Sequence, residues 1–520
     1  MQGMTDTPQD EIIAFLERAE THGTAGPVEH IDTHISIIFL AGDHVWKLKR
    51  AVTFPYLDYG TVEARRRFCE EELRINRRTA PGLYKSVRAI TREEDGSLAI
   101  DGAGEALDWV VEMARFDQSA LWDAMAARDA ITPQMADRLA DAIADFHQAA
   151  AVINGAAGAA PFAYVIDEEN DAEMRRFGPA IFPTEQVAAL KERCDAALAQ
   201  NTALLEARAT DGFVRHCHGD MHLGNICQLA TGPAPFDAIE FSPRFSEIDV
   251  LYDLSFLLMD MAHRGLNGLA NRLLNRYLSA TRDYDALAAM PLFLSLRAGI
   301  RAHVTASRAE NLTDATTKQT ARGEAASYLS FALDCFDTGG PRLIAIGGLS
   351  GTGKTRLARG LAPLLFPLPG AAHLPSDLIR KRLAGIAPEE RLTEDWYTPA
   401  VTERVHARMF EDAEKALRAG YPAVLDATFM EPKRRARAEA VAKAANAPFT
   451  GIWLEAPAAE MERRVATRKG NISDASIDVL NSQRKAGLGE IGWARINTGG
   501  GPEETLEKAR GLVLSNQGTR

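Results

Sequence analysis

Residues 343–365 read LIAIGGLSGTGKTRLARGLAPLL. The apolar run closed by two glycines predicts a buried strand, and the segment after Thr355 predicts a helix. Between them, residues 348–355 spell G-x-x-x-x-G-K-T. This order of strand, glycine loop and helix start meets the needs of a phosphate chain. Main-chain N–H groups can wrap it, the helix dipole favours its charge, a lysine reaches the β- and γ-phosphates, and a hydroxyl can ligate Mg²⁺. Gly348, Ser350, Gly351, Thr352, Gly353, Lys354 and Thr355 are thereby assigned to a nucleoside triphosphate, with Thr355 also a metal ligand and Lys354 also catalytic. Just upstream, DTGGPR at 337–342 breaks a helical pattern. It divides the chain into expected domains 1–338 and 339–520.

Downstream, strands such as YPAVLDAT and FTGIWLEA alternate with helices, which predicts an α/β domain with a parallel sheet. In HLPSDLIRKRLAG, Asp377 is either a helix cap or a general base for an acceptor hydroxyl. Asp426 and Thr428 end a strand at the carboxyl edge of that sheet, where ligands of open α/β folds lie. Arg463, Arg464 and Arg468 precede a polar loop, as lid arginines or as a solvated helix face. GLSGTGKT, SDLIRKRL, LDATFMEPKRR and TRKGNISDASIDVL, over about 342–500, resemble the small P-loop kinases of the gluconate kinase, zeta-toxin and polynucleotide 5′-kinase type. That resemblance implies phosphoryl transfer to a hydroxyl, with Asp377 as base, Asp426 near the metal or acceptor, and Arg468 in the lid.

The 520 residues exceed what one core sustains. A net charge of −12 argues against a general nucleic-acid or anionic-membrane surface. The acidic start MQGMTDTPQDEIIAFLERAE has no signal-peptide pattern, and no apolar run is long enough to cross a bilayer. Five cysteines without pattern fit a reducing compartment, so a cytoplasmic protein is expected.

In the first half, residues 216–226 read HCHGDMHLGNI. One alternative is a zinc site built from His218, His222, Cys217 and Cys227, but Gly219 and Gly224 disfavour the regular helix that would align the histidines. The other is H-G-D-x-x-x-x-N, in which Asp220 faces an acceptor hydroxyl and Asn225 holds Mg²⁺. The kinase-type spacing is preferred. APFDAIEF follows, expected as a short strand that offers Asp237 and Glu240 as further metal carboxylates. HISIIFL-AGDH-VWKLK reads as a hairpin, and TVEARRRFCEEELRINRR as a helix stopped by Pro81.

These residues resemble the aminoglycoside phosphotransferase and choline kinase-like group, over about 30–335. The resemblance implies a two-lobed α+β protein-kinase-like fold. It further implies that Lys47 or Lys49 contacts the α/β-phosphates and that Glu71 or Glu72 pairs with that lysine, with WVVEMARF as the hinge. Two departures stand out. Asp237 and Glu240 compete for the metal position, and LAGDH is the nearest thing to a glycine-rich phosphate loop.

The whole predicts a bifunctional, ATP- and Mg²⁺-dependent phosphotransferase acting on hydroxyls of small molecules or nucleotides. Its rivals are a nucleotide sensor regulating one active module, and a polynucleotide 5′-hydroxyl kinase. The latter is disfavoured by the acidic chain.

Overall fold

A computed structural model of the protein describes residues 8–54, 57–337, 339–467 and 473–514. The chain forms two compact units that are not continuous in sequence, Met1–Ala156 with Arg208–Leu254, and Ala157–Ala207 with Ser255–Arg520. Among the described residues no helix is long and apolar enough to cross a membrane.

The first unit holds a six-stranded antiparallel sheet. Its order is Glu29–Asp32, Ser36–Ala41, His44–Lys49, Glu105–Ala114, Tyr84–Arg92, Leu98–Ile100. The expected hairpin is there, with Lys49 opposite Ser36 and Lys47 opposite Ile38. Alternation divides this hairpin between two faces. Ile37, Phe39, Trp46 and Leu48 pack one core with Ile12 and Leu16. Leu40 and Val45 pack the other with Cys69 of helix Val62–Asn76. Thr61 caps that helix by accepting the Ala64 N–H at 3.1 Å. Its inward side carries Arg65, Glu72 and Asn76, all buried. Buried charge on a helix face that should be apolar marks a site.

APFDAIEF departs from expectation. The strand is Gly232–Pro235, paired with Ile226–Leu229, and it ends before Asp237. Residues 236–240 are irregular, and Asp237 has φ +60°, a left-handed conformation uncommon outside glycine.

The second unit contains a five-stranded parallel sheet in the order Ala372–Pro375, Ala423–Asp426, Leu343–Gly348, Phe449–Glu455, Ala494–Asn497. Ile344, Ile346, Val424, Ile452 and Leu454 share one core with Leu357 and Leu361 of the helix that follows Gly353. Apolar runs of this kind are what a sheet covered on both faces requires. The sheet's outer strand is covered by helix Asn267–Thr281. Asn275 Oδ1 accepts the His373 N–H at 2.6 Å, and the Asn271 and Asn275 amides donate to Ala371 O at 3.0 and 3.1 Å. Two asparagines thus satisfy an edge that would otherwise stay open.

Candidate functional site

The glycines of 348–355 form a loop that tolerates little else. Gly348, Gly351 and Gly353 have φ of +141°, +85° and +95°. A Cβ on Gly351 would lie 2.7 Å from Met461 O, and one on Gly348 would lie 2.7 Å from Leu454 O. Thr352 Oγ1 donates to Leu349 O at 2.8 Å, and Lys354 Nζ donates to the same carbonyl at 3.0 Å, which closes the loop on itself. The Ser350 N–H points to Gln483 Oε1 at 2.8 Å, a residue that no sequence signal marks. Arg464 Nη2 donates to Thr498 O at 2.8 Å, and Thr498 Oγ1 donates to Thr352 O at 3.0 Å. Arg464 therefore braces the loop's far side, whereas Arg463 lies exposed against Glu460. Arg468 lies outside the described residues.

Lys354, Thr355, Asp377 and Asp426 line one cleft of about 520 Å³. The helix carrying Asp377 is Ser376–Ala384, and its cap position is Pro375 with no side-chain cap bond, so Asp377 is not the cap. Burial raises the Asp377 carboxyl above its ordinary range, against the pull of Ser473, and the negative charge of Asp426 adds to the rise. Asp426 behaves oppositely. Burial opposes its ionisation, but His373 at 3.4 Å, Lys354 and the Thr355 hydroxyl outweigh it and hold it low. Two carboxylates with opposite shifts in one cleft suit different tasks, proton uptake by one and charge-bearing ligation by the other. The Thr355 hydroxyl and Asp426 carboxylate are hard oxygen donors of the kind Mg²⁺ prefers.

In the first unit, Lys47 and Lys49 both reach Glu72, at 2.8 and 2.6 Å. Glu71 faces solvent against Arg74. Burial alone would raise Glu72, yet the two lysines hold it at about 2. Beyond Glu72 the lysines diverge. Lys47 Nζ lies 2.6 Å from Asp237 Oδ1, and the Asp237 side chain is 45% exposed. Lys49 is locked to Glu240 and Tyr59, with its side chain 1% exposed and that of Glu240 5%. One pair thus opens to solvent while the other is sealed. Asn76 Oδ1 accepts the Ala238 N–H at 2.8 Å, and Tyr84 OH accepts that of Asp237 at 3.1 Å, which fixes the strained turn. The 41–44 turn sits at the opposite end of the hairpin from Lys49. Lys47 is three residues along the strand from His44 at the turn, roughly 10 Å, so LAGDH does not lie over Lys47.

The 216–226 loop is braced throughout. Asp253 accepts the N–H groups of His218 at 3.0 Å and Gly219 at 2.8 Å, and His147 Nε2 lies 3.1 Å from it. Burial would raise Asp253, but the bond from His147 overcomes this and holds it at about 2. Arg78 donates to His216 O at 2.7 Å. His218 Nδ1 accepts the Asp220 N–H at 3.3 Å and Nε2 bonds Phe236 O at 2.9 Å, a pattern that needs the neutral ring. Burial lowers its pKa accordingly. Asp220 itself is 39% exposed and takes a 3.0 Å bond from Asn225 Nδ2. Among the described residues, His147, Cys217 and Asp253 bring potential metal-ligand atoms within 4.8 Å of one another. All three are buried and already bonded, Cys217 to Ile248 O, so the group is a brace. His218 and His222 are not part of it.

Sequence reasoning passed over Tyr59, Arg78, Asp253 and His373. Arg78 lies in the quoted helix, and the interrupted apolar run VLYDLSFLLMD displays Asp253, a signal that could have been followed. Tyr59 and His373 carry none.

Residues 63–290 match the model of the phosphotransferase enzyme family, and residues 343–487 match that of an AAA domain. Uncharacterized proteins of Mycobacterium tuberculosis and Mycobacterium bovis are 26% identical over 487 residues, which cover 92% of this chain and 94% of theirs. Similar solved structures include a choline/ethanolamine kinase family protein from Mesorhizobium loti, with 15% identity, TM-score 0.38, and 62% of this chain and 99% of that one covered. A gluconokinase from Sinorhizobium meliloti is 20% identical with TM-score 0.24, covering 34% of this chain and 98% of its own. The family matches and the five-stranded parallel sheet give an APH kinase-like domain followed by a domain of P-loop NTPase fold.

Proposed function

We propose that the protein is a bifunctional ATP-dependent phosphotransferase, with one module over 1–338 and another over 339–520, each passing the γ-phosphate of ATP to a hydroxyl. The observation that carries it is the pairing of Lys354 and Thr355 with Asp377 and Asp426 in one cleft. In that cleft, loop N–H groups and Lys354 bind the phosphates. Asp377 takes the acceptor's hydroxyl proton, the acceptor oxygen bonds the γ-phosphorus, and the bond from that phosphorus to the bridging oxygen breaks to release ADP. The raised carboxyl makes Asp377 the better proton acceptor. In the first module Asp220 takes the proton, Lys47 contacts phosphate oxygens, and Glu72 aims Lys47. Asn225 and Asp237, with Thr355 and Asp426 in the second module, are the groups that would hold Mg²⁺. When bound, it neutralises charge developing on the phosphates. Lys49 and Glu240, paired and buried, hold Glu72 in place and are assigned no contact with nucleotide or metal.

The second reading, a first module that binds nucleotide and regulates the other, draws on the position of the LAGDH turn away from Lys47. Transfer of labelled γ-phosphate into a pooled metabolite and nucleotide extract separates the two. Asp220→Asn and Asp377→Asn are each expected to remove a different set of products. A product set untouched by Asp220→Asn would leave the first module as the regulator.

A further inference from the structure

Helix Asn267–Thr281 lies within residues 63–290, the stretch matched by the phosphotransferase family, yet it belongs to the same compact unit as the phosphate loop. It runs along the outer strand of the parallel sheet, Ala372–Pro375, whose other edge pairs with Ala423–Asp426. The outward backbone groups of such a strand need partners, and two buried asparagine side chains supply them. Asn275 Oδ1 accepts the His373 N–H at 2.6 Å, while its amide donates to Ala371 O and to Asn271 Oδ1, both at 3.1 Å. Asn271 donates to Ala371 O at 3.0 Å. Each asparagine orients the other, and the strand cannot slide along the helix without breaking its bonds to both. The approach is close: a Cβ on Gly370, at φ +122°, would lie 2.7 Å from Asn271 Nδ2.

This anchor bears on the cleft through one side chain. His373 pairs with Val424 across the sheet, so its ring shares a face with Val424 and, two residues on, with Asp426. Val424 packs with Leu357 and Leu361, which makes this the face covered by the helix that begins at Lys354. His373 is buried and its Nε2 lies 3.4 Å from Asp426 Oδ2. An ionised carboxylate only accepts, so Nε2 carries the proton. The Thr355 hydroxyl bonds the same carboxylate. Asp426 is thus held between His373 on the strand side and Thr355 on the loop side, which fixes where its remaining lone pairs point.

We infer that His373 is a positioning residue that aims Asp426 in the second cleft, and that Asn275, from a helix outside residues 339–520, sets His373 in place. The second site is completed by the domain that precedes it in the chain. This rests on the phosphotransferase reading, in which Asp426 is one of the groups that would hold Mg²⁺, and adds the residues that orient it.

The test measures Mn²⁺ binding by electron paramagnetic resonance to the full-length protein saturated with AMPPNP, in a Lys47→Ala background so that the second site reports. His373→Leu is expected to weaken Mn²⁺ binding roughly 10- to 100-fold, the usual effect of losing a hydrogen-bond partner of a metal-bound carboxylate, with metal-free AMPPNP affinity unchanged. His373→Gln, whose amide can donate from a similar position, is expected to recover most of that loss. Asn275→Leu, which leaves the ring but removes its anchor, is expected to show a smaller loss in the same direction. Arg282→Gln is the control, because it breaks a 2.6 Å pair with Asp412 just past the end of the same helix and leaves the strand bonds alone; Mn²⁺ binding should hold. Should His373→Leu not fold, as judged by circular dichroism, His373→Met, also without the donor, takes its place. Mn²⁺ binding indifferent to loss of the His373 donor, or lowered equally by Arg282→Gln, would overturn the inference. Indifference to Asn275→Leu alone would overturn the part assigned to the helix. Asp426→Asn distinguishes a deeper failure. If it too leaves Mn²⁺ binding unchanged, Asp426 is no metal ligand, and the phosphotransferase reading of the cleft fails before the positioning claim does.

Discussion

Lys47 and Lys49 lie two residues apart and both hold Glu72, so replacing each in turn separates binding from support. Lys49→Ala leaves Glu240 and half of Glu72 buried without their cation. Breaking a buried pair in this way costs about 3–5 kcal/mol. For a unit of this size that lowers its thermal midpoint by roughly 6–20 °C. Lys47→Ala is milder, because Glu72 keeps Lys49 and Asp237 is 45% exposed, and the expected cost is about 1 kcal/mol. Its effect falls instead on nucleotide. A charge-assisted bond to phosphate contributes about 1.5–3 kcal/mol, which is roughly 10- to 150-fold in affinity at the first site. Differential scanning calorimetry and AMPPNP titration on each variant measure both quantities. A Lys47→Ala protein that unfolds early, or a Lys49→Ala protein that stays stable and loses nucleotide, would reverse the roles and refute the reasoning.

Gly351→Ala places a Cβ 2.7 Å from Met461 O at φ +85°; the conformational cost alone is about 1–2 kcal/mol, so AMPPNP affinity at the second site should drop tenfold or more. The acceptor-dependent rate of the second module should rise with pH through a value above the ordinary carboxylate range, because the active form of Asp377 is ionised and its pKa is raised, and Asp377→Asn should abolish that limb in a pH–rate profile. Glu72 and Asp253, both held at about 2, contribute stability that is present above their unfolded values near ~4 and fades as pH falls toward 2; acid melting curves should show that window, and Asp253→Asn should narrow it. Asn275→Leu orphans the His373 N–H, and urea denaturation of the second unit should register a loss of about 1–3 kcal/mol.

Much of this was readable from residues because the chemistry is local. A phosphate loop needs its glycines, lysine and threonine in one uninterrupted run, so 348–355 announced the fold. The Asp220–Asn225 spacing likewise lies within one loop. Choices that depend on burial were illegible. Lys47 and Lys49, or Asp237 and Glu240, look alike in sequence, and only their depth and the positive φ of Asp237 distinguish them. APFDAIEF has strand composition, yet the chain leaves the strand after Pro235, and Tyr84 and Asn76 capture the N–H groups of Asp237 and Ala238. Gln483 matters through what it meets more than a hundred residues away, and no spacing encodes that.

The central claim is that one chain carries two nucleotide sites, one at Lys47 and one at Lys354. Equilibrium dialysis with labelled AMPPNP and Mg²⁺ counts them directly. Two equivalents per chain are predicted for wild type, one each for Lys47→Ala and Lys354→Ala, and none for the double variant. A single equivalent in wild type, lost with Lys354→Ala and indifferent to Lys47→Ala, would contradict it.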